Sequence, residues 1–227
     1  TAPKVLDEAY HYDGATASST PPQRGNRTMV RRWLNTTNSF AITETATYDS
    51  YGNQITKTDA LGNTTTTLYD SVFHLFPVEV RNPLYATDPR QRTRTEWNTL
   101  CGKPAKTYDL NNQVTTYTYD ALCRETRVSM PRGHYKATAY VDIGNPATQY
   151  VSVTEPSPGG LIESREYLDG LGRVWRTWRT GPAPDRAIVV RTDYSPRGPV
   201  ARKSEPVYTG DAVYWTSYDT DVLGRVV

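Results

Sequence analysis

Two pairs of carboxylates lie close enough in the sequence to be considered as a hydrolytic pair. Asp219 and Asp221 are two positions apart, and Glu163 and Glu166 are three apart. Glycoside hydrolases hold their two carboxyl groups about 5–10 Å apart, so proximity alone would allow this chemistry. The aspartates of this chain, however, recur at one place in a repeated turn pattern, which explains them without catalysis. We therefore predict no catalytic pair and no enzymatic activity.

The histidines and cysteines offer no clear metal site or nucleophile. The chain has three histidines and two cysteines, whereas a structural zinc site needs four ligands. The segment 219–221 (DTD) opens like a calcium loop, but the later glycine and glutamate ligands do not follow at the required spacing. His74 lies in the apolar run VFHLF, where a packed imidazole is a better interpretation than a catalytic base. We predict no metal and no cofactor.

The segment 173–179 (RVWRTWR) mixes cations with aromatic rings, a mixture that could suit single-stranded nucleic acid or a glycan. On a strand, successive side chains point to opposite faces. That alternation puts Arg173, Trp175 and Arg179 on one face and Arg176 and Trp178 on the other, so no one-sided basic stripe forms. We interpret these arginines as stacked on aromatic rings within a sheet and predict no nucleic-acid partner.

A repeated pattern surrounds these residues and decides the fold prediction. A stretch rich in Thr and Tyr ends in Tyr-Asp, Gly or Asn follows three to five residues later, and another polar stretch comes next. An Asp side chain can start a turn by bonding its own backbone, and Gly or Asn accepts the positive φ of a tight turn. Each copy therefore predicts a β-hairpin. The repeat signature comprises Tyr48, Asp49, Gly52, Asp59, Gly62, Tyr69, Asp70, Tyr108, Asp109, Tyr119, Asp120, Tyr167, Asp169, Gly172, Tyr194, Gly198, Tyr218, Asp219 and Gly224.

The composition agrees with a folded β protein. Among 227 residues there are 33 Thr, 17 Tyr and 5 Trp, types that suit a half-buried pleated surface. Leu, Ile, Val and Phe make up about 18%, near the level at which strongly charged chains are disordered, but the formal net charge is only +2. The 31 Gly and Pro residues interrupt any helical stripe. We predict an all-β fold, an elongated, curved antiparallel sheet of successive β-hairpins with almost no helix.

The pattern also predicts the organisation of the chain. Copies are spaced ten or eleven residues apart at first and 21 to 27 apart later, which we interpret as longer hairpins or degenerate copies. Residues 1–40 are predicted to form a degenerate leading hairpin and residues 41–227 the repeats of one continuous array. Loops are predicted at 15–25, 82–91, 155–160 and 181–186. The chain begins without Met and stops within a copy, so we expect a fragment of a larger protein.

Cys101 and Cys123 occupy equivalent places in two copies, four residues after Trp97 and after Tyr119. If each eleven-residue step is one strand, two strand spacings of about 4.8 Å separate them. A distance of about 9–10 Å exceeds the roughly 7 Å between Cα atoms that a disulfide can bridge. The sequence therefore predicts two free thiols.

Four copies resemble the YD-repeat, or RHS-repeat, family: YDSYGNQITKTDALGN, YDALCRET, YLDGLGRVWRT and YDTDVLGRV. They are most similar to the repeat region of the B component of insecticidal toxin complexes, the SpvB-like toxin proteins. The resemblance covers most of residues 40–227. It implies a sheet of hairpins that spirals into a hollow shell around a polypeptide, in a protein that is secreted or on the cell surface of bacteria. The self-cleaving core signature of the family is absent, and Asp88-Pro89-Arg90 does not reproduce its context.

By this resemblance, the chain is a non-enzymatic structural segment of a shell that encloses and helps deliver a toxin polypeptide. Its partners would be the remainder of the shell and the enclosed polypeptide, with no membrane contact from this segment. Unpaired strand edges also predict edge-to-edge association between copies. The alternative is a surface adhesin or glycan-binding module that uses exposed Tyr, Trp and Arg.

Overall fold

The computed structural model of the chain describes residues 7–183, 185–219, 221 and 225. The backbone divides into two compact units, one extending to Thr115 and the other beginning at Thr116. Whether the repeats form one continuous array therefore stays a prediction, and each unit is described by itself.

The first unit is a meander in which each strand pairs antiparallel with the next one in the sequence. The leading hairpin pairs its two strands across a loop of residues 13–26. A short 3-10 helix, Pro83–Ala86, lies in the loop after the sixth strand. The strands are β1 (Glu8–Tyr12), β2 (Arg27–Leu34), β3 (Ser39–Tyr48), β4 (Gln54–Asp59), β5 (Thr64–Tyr69), β6 (Pro77–Arg81), β7 (Arg92–Asn98) and β8 (Lys103–Tyr108).

The second unit continues the same plan with a break near its end. Its strands are β9 (Val114–Tyr119), which begins just before the unit boundary, β10 (Glu125–Ser129), β11 (Tyr135–Val141), β12 (Tyr150–Ser157), β13 (Gly160–Leu168), β14 (Val174–Arg179), β15 (Ile188–Tyr194), β16 (Val200–Ser204), β17 (Val207–Tyr208) and β18 (Trp215–Ser217). Strand β15 pairs with β16 along one half and with β17 along the other. Pro206 lies between β16 and β17, where its missing N–H interrupts the ladder. Strand β18 pairs with β16.

The predicted fold class is confirmed, because both units are antiparallel sheets of consecutive hairpins. Within the described part of the chain, the helical elements are two 3-10 turns, Pro83–Ala86 and Pro131–Gly133. One predicted loop, at residues 155–160, is wrong. Strand β12 continues to Ser157 and β13 begins at Gly160. Pro156 is tolerated there because the pairing of β12 with β11 stops at Thr154, which leaves this end of the strand on an edge.

The sheet of each unit is a single layer with little interior. Strands contact the strands with which they pair, and no second layer of described residues covers either face. The buried apolar side chains are small, namely Val30, Ala46, Ala187 and Val189. Stability must therefore come from strand pairing and from the turns rather than from a core.

The prediction of two free thiols is wrong, because Cys101 and Cys123 are disulfide-bonded. The strand spacing used for that prediction holds within a ladder, whereas both cysteines lie in turns. The two turns also differ in backbone. Cys123 itself adopts a positive φ of 57°, but in the turn after β7 the positive φ of 62° falls on Gly102, one residue after Cys101. Equivalent places in the sequence therefore do not have equivalent geometry.

Val189 tests how much stability the small interior contributes. It is 4% exposed and lies between its cross-strand partners Trp178 and Val207. We expect Val189→Ala to lower the free energy of unfolding by about 1.5 kcal/mol, the transfer of about two buried methylene groups. The control is Leu161→Ala, a larger truncation at a side chain that is 57% exposed. Urea unfolding of both variants is the measurement, and a greater loss in Leu161→Ala would contradict this account of burial.

Candidate functional site: the aspartate turns

The signature tyrosines lie where strands end. Tyr48, Tyr69 and Tyr108 are the last residues of β3, β5 and β8, and Tyr119 and Tyr194 are the last residues of β9 and β15. Tyr167 is the penultimate residue of β13 and Tyr218 directly follows β18. In most copies the next residue is the aspartate that opens the turn.

Each turn aspartate uses its two carboxylate oxygens differently. Oδ1 of Asp59 accepts the backbone N–H groups of Leu61 at 2.8 Å and Asn63 at 2.9 Å, while Oδ2 accepts the Asn63 side-chain amide at 2.9 Å. Asp49 bonds Tyr51 and Asn53 in the same way. One carboxylate thus satisfies the backbone donors that a tight turn would otherwise leave to water.

Three of the described turns replace the amide with an arginine, at Asp120, Asp169 and Asp221. Oδ1 of Asp120 accepts from the N–H groups of Leu122 and Arg124, and Oδ2 accepts from Arg124 Nε at 2.7 Å. Asp169 holds Arg173 in the same way, with Nε at 2.8 Å. The arginine adds an ion pair to the hydrogen bonds of the turn, and charge-assisted hydrogen bonds are the stronger kind.

The remaining copies vary this scheme. Asp70 opens a wider turn and accepts four backbone N–H groups, from Val72, Phe73, Leu75 and Phe76. Asp109 accepts the N–H groups of the second and fourth residues after it. The turn after β15 has Ser195 in the aspartate position, and it closes through backbone bonds of residues 195–199 alone.

The third residue after the aspartate adopts a positive φ, which accounts for the glycines of the signature. A left-handed backbone is nearly free for Gly and is tolerated by Asn. Cys123 occupies this position in its own turn. The φ values are 88° at Gly52, 84° at Gly62, 60° at Asn112, 57° at Cys123, 77° at Gly172 and 110° at Gly198.

The fourth residue after each aspartate also belongs to the turn and is not part of the predicted signature. This position holds Asn53, Asn63, Gln113, Arg124 and Arg173. An amide or arginine directly after the Gly position could therefore have been recognised in the sequence as the side-chain partner of the aspartate. The same signal would have corrected the last copy. There Asp221, not Asp219, accepts the backbone N–H and Nε of Arg225. Gly224 of the signature lies outside the described residues.

The hydrogen bonds of the turns keep the carboxylates ionised. The Asn63 side chain and the backbone N–H groups of its turn lower the pKa of Asp59. At Asp120, the Arg124 backbone N–H is the largest cause of a lowered pKa. Desolvation by itself would raise the pKa of Asp70, but its four backbone donors together lower it far below the usual range.

Aromatic side chains tie three of the hairpins to the hairpin before them. In each case the aromatic residue that precedes a turn donates to the backbone carbonyl of the first residue in the second strand of the preceding hairpin. The bonds run from Tyr48 Oη to the Arg27 carbonyl at 3.0 Å, from Trp97 Nε1 to Pro77 at 2.9 Å and from Tyr194 Oη to Val174 at 2.8 Å.

The arginine-rich segment stacks within the sheet, as interpreted from the sequence. The guanidinium of Arg173 lies 4.2 Å from the ring centroid of Tyr194, and that of Arg176 lies 5.1 Å from Tyr167. Trp178 is covered by Arg165 at 4.4 Å. Cation–π contacts of this kind stabilise exposed sheet faces by about 0.5–1 kcal/mol each.

Of the carboxylates first considered for catalysis, one pair is separated by the sheet and a member of the other is engaged by an arginine. Glu163 and Glu166 lie on opposite faces of β13, and Glu163 is bonded to Arg165 at 2.7 Å. Asp221 is engaged by Arg225. His74 is half-buried and stacks on Tyr51 with ring centroids 4.0 Å apart. Across residues 7–219, apart from residue 184, no group of His, Cys, Asp and Glu is placed to hold a metal ion, and no helix is long and apolar enough to cross a membrane.

Comparisons with solved structures agree with the repeat resemblance. The crystal structure of TcdB2–TccC3 superposes with a TM-score of 0.75 at 13% identity, covering 98% of this chain and 16% of that one. The TcdB2–TccC3–Cdc42 crystal structure gives 0.72 at 11% identity, with 98% and 18% covered. The Tc holotoxin pore of Photorhabdus luminescens, with the TccC3 mutation D651A, gives 0.64 at 16% identity, with 96% and 12% covered.

No protein-family model and no curated protein matches the sequence. The evidence of similarity is therefore structural, and at these identities it concerns the fold. The chain spans about a sixth of the TcdB2–TccC3 chain that it matches. It has the fold of a stretch of these toxin-complex proteins, as the resemblance implied.

Asp59 offers a direct test of the turn geometry. We expect Asp59→Ala to speed hydrogen exchange at the Leu61 and Asn63 amides by about ten-fold, because both lose their acceptor. Asp59→Asn keeps an oxygen in the Oδ1 position and should give an intermediate rate. The Asp49 turn in the same protein is the internal control, measured by NMR. Equal rates in the wild type and Asp59→Ala would contradict the role assigned to the carboxylate.

The lowered pKa values of the turn aspartates predict acid lability. A folded-state pKa below the unfolded value of about 3.9 contributes stability above that pH, and the contribution is lost as pH falls through the folded-state pKa. We expect the melting temperature to stay nearly constant from pH 7 to pH 5 and to fall below about pH 4. Circular dichroism melts provide the measurement. A melting temperature that is unchanged at pH 2 would contradict the prediction.

Proposed function

We propose that this chain is a wall segment of a protein shell that encloses a toxin polypeptide and helps to deliver it, in a secreted or surface-located bacterial protein. The observation that carries the proposal is the single-layered sheet. A sheet uncovered on both faces is suited to separate an inside from an outside, whereas a catalytic domain normally needs an interior to desolvate its site. The fold shared with TcdB2–TccC3 and with the Tc holotoxin pore supports the same role.

The chemistry of the surface favours a structural role over catalysis. Most acidic side chains of the turns and strands are already engaged, by backbone N–H groups in the turns or by arginines such as Arg81, Arg92 and Arg165 on the sheet faces. Enclosure requires such a surface to be closed and stable, and it requires no reacting group. We therefore propose a non-enzymatic segment whose partners are the rest of the shell and the polypeptide within it.

Electron microscopy of the product of the complete gene tests this function. We expect hollow particles with polypeptide density inside, and an internal segment that resists protease until the shell is opened by denaturant. Purified shell emptied by truncation of that segment is the control for the density. Particles without a cavity, or a segment cleaved at the same rate before and after denaturation, would refute the proposal.

A glycan array tests the alternative role as an adhesin. We expect no binding above background, because several of the aromatic rings that sugars would use are covered by arginines, as at Trp178 and Tyr194. Reproducible binding of one glycan class, lost in Tyr214→Ala at an exposed ring, would favour the adhesin instead.

A further inference from the structure

Two arginines face each other across strands β14 and β15 of the second unit. Arg176 is the direct cross-strand partner of Arg191, and like charges in this arrangement destabilise a sheet. Neither side chain forms an ion pair with any residue in the described part of the chain. Arg176 lies against the Tyr167 ring, and its Nε is buried without a hydrogen-bond partner. Arg191 uses its backbone N–H to bond Ser204 Oγ, while its side chain remains exposed.

The first unit contains the same arrangement with its charge balanced. Arg81 and Arg92 are direct cross-strand partners on β6 and β7. Glu79 lies between them and accepts from Arg81 Nε at 2.6 Å and from Arg92 Nη1 at 3.0 Å. An arginine pair in this sheet therefore accommodates one carboxylate with two guanidinium groups, a geometry that arginine forks favour. In the second unit the carboxylate two residues from Arg191, Asp193, bonds Arg202 instead of bridging the pair.

A cavity of about 380 Å³ opens on the sheet face at this pair. Its lining is Trp175, Arg176, Arg191, Asp193, Arg202 and Trp215. Arg202 is not available as a further free cation, because its Nε bonds Asp193 at 2.6 Å and its guanidinium covers Trp215 at 4.3 Å. The cavity thus contains three guanidinium groups and one carboxylate, with Trp175 and Trp215 also in its lining.

We infer that this cavity binds a carboxylate carried by an extended polypeptide. Arg176 and Arg191 would bind this carboxylate in the same way as Arg81 and Arg92 bind Glu79. The repulsion between the two guanidinium groups would be relieved by the bound carboxylate. The tryptophans would contact the apolar part of the acidic side chain. The inference rests on the proposed function for its partner, since an enclosed polypeptide would lie along a face of the wall.

Peptide titration of the full 227-residue chain tests the inference. The probe is a capped peptide of alternating Thr and Glu, and its counterpart has Gln in place of Glu. We expect calorimetric binding of the Glu peptide with a change in tryptophan fluorescence, weaker at high salt because the contact is ionic, and no binding of the Gln peptide. The double variant Arg176→Gln with Arg191→Gln should bind at least about ten-fold more weakly, or about 1.4 kcal/mol.

Arg179→Gln is the matched control, because Arg179 lies on the same strand, three residues further on and hence on the opposite face. It should bind the Glu peptide as the wild type does.

The single variant Arg191→Gln provides a test in which folding is preserved, since its exposed side chain has no partner to lose among the described residues. Without peptide, this variant should melt at or above the wild-type temperature, because a like-charged neighbour has been removed.

Three results would overturn the inference. They are unchanged affinity in the double variant, an equal loss in Arg179→Gln, and binding of inorganic phosphate that depends on Arg176 and Arg191 while the Glu peptide fails to bind. The last result would assign the cavity to a phosphate instead. Any of them would leave the shell proposal standing, because enclosure does not require this contact. A solid particle in electron microscopy would remove the shell and leave the peptide measurement unaffected.

Discussion

The carboxylate that accepts the backbone N–H groups of a hairpin turn is the interaction on which the rest of this structure depends. A sheet of many short strands changes direction after every six or so residues, and each reversal leaves backbone donors without partners in the ladder. One carboxylate oxygen of Asp59 accepts hydrogen bonds from two such backbone N–H groups, and the other oxygen accepts one from the side-chain amide of Asn63. Because the bonds are internal to the turn, each hairpin can form from local sequence and present two ready strands to its neighbours.

Side-chain contacts along the sheet replace the interior that a single layer lacks. Tyr48, Trp97 and Tyr194 each donate to the backbone of the preceding hairpin, so the turns also fix the spacing of neighbouring hairpins. Elsewhere, guanidinium groups cover aromatic rings and bind the acidic residues of adjacent strands, as Arg165 does with Trp178 and Glu163. Many modest local contacts then add up across the sheet, which explains how a chain with so few Leu and Ile residues is folded.

A single-layered sheet of this kind has consequences for binding. Its faces are surfaces, so what it binds depends on the groups that remain unpaired on them. The arginine pair of β6 and β7 is bridged by Glu79, whereas no described carboxylate bridges the pair of β14 and β15. If the proposed shell encloses a polypeptide, an unbridged pair is a place where the polypeptide would bind.

The sequence by itself determined the class of fold and the position of most turns, because both depend on local chemistry: Thr and Tyr alternation predicts strands, and Asp followed by Gly or Asn predicts a reversal. It also contained the partner of each aspartate, four residues later, although the predicted signature did not include that residue.

Tertiary structure decided what strand spacing alone could not. Cys101 and Cys123 are disulfide-bonded although their sequence positions predicted free thiols, because both lie in turns, to which the spacing of strands does not apply. The extension of β12 to Ser157 depends on where β11 stops, and the opposition of Arg176 and Arg191 depends on the register between β14 and β15. Each of these relations involves residues from separate stretches of the chain, so no single stretch of sequence contains it.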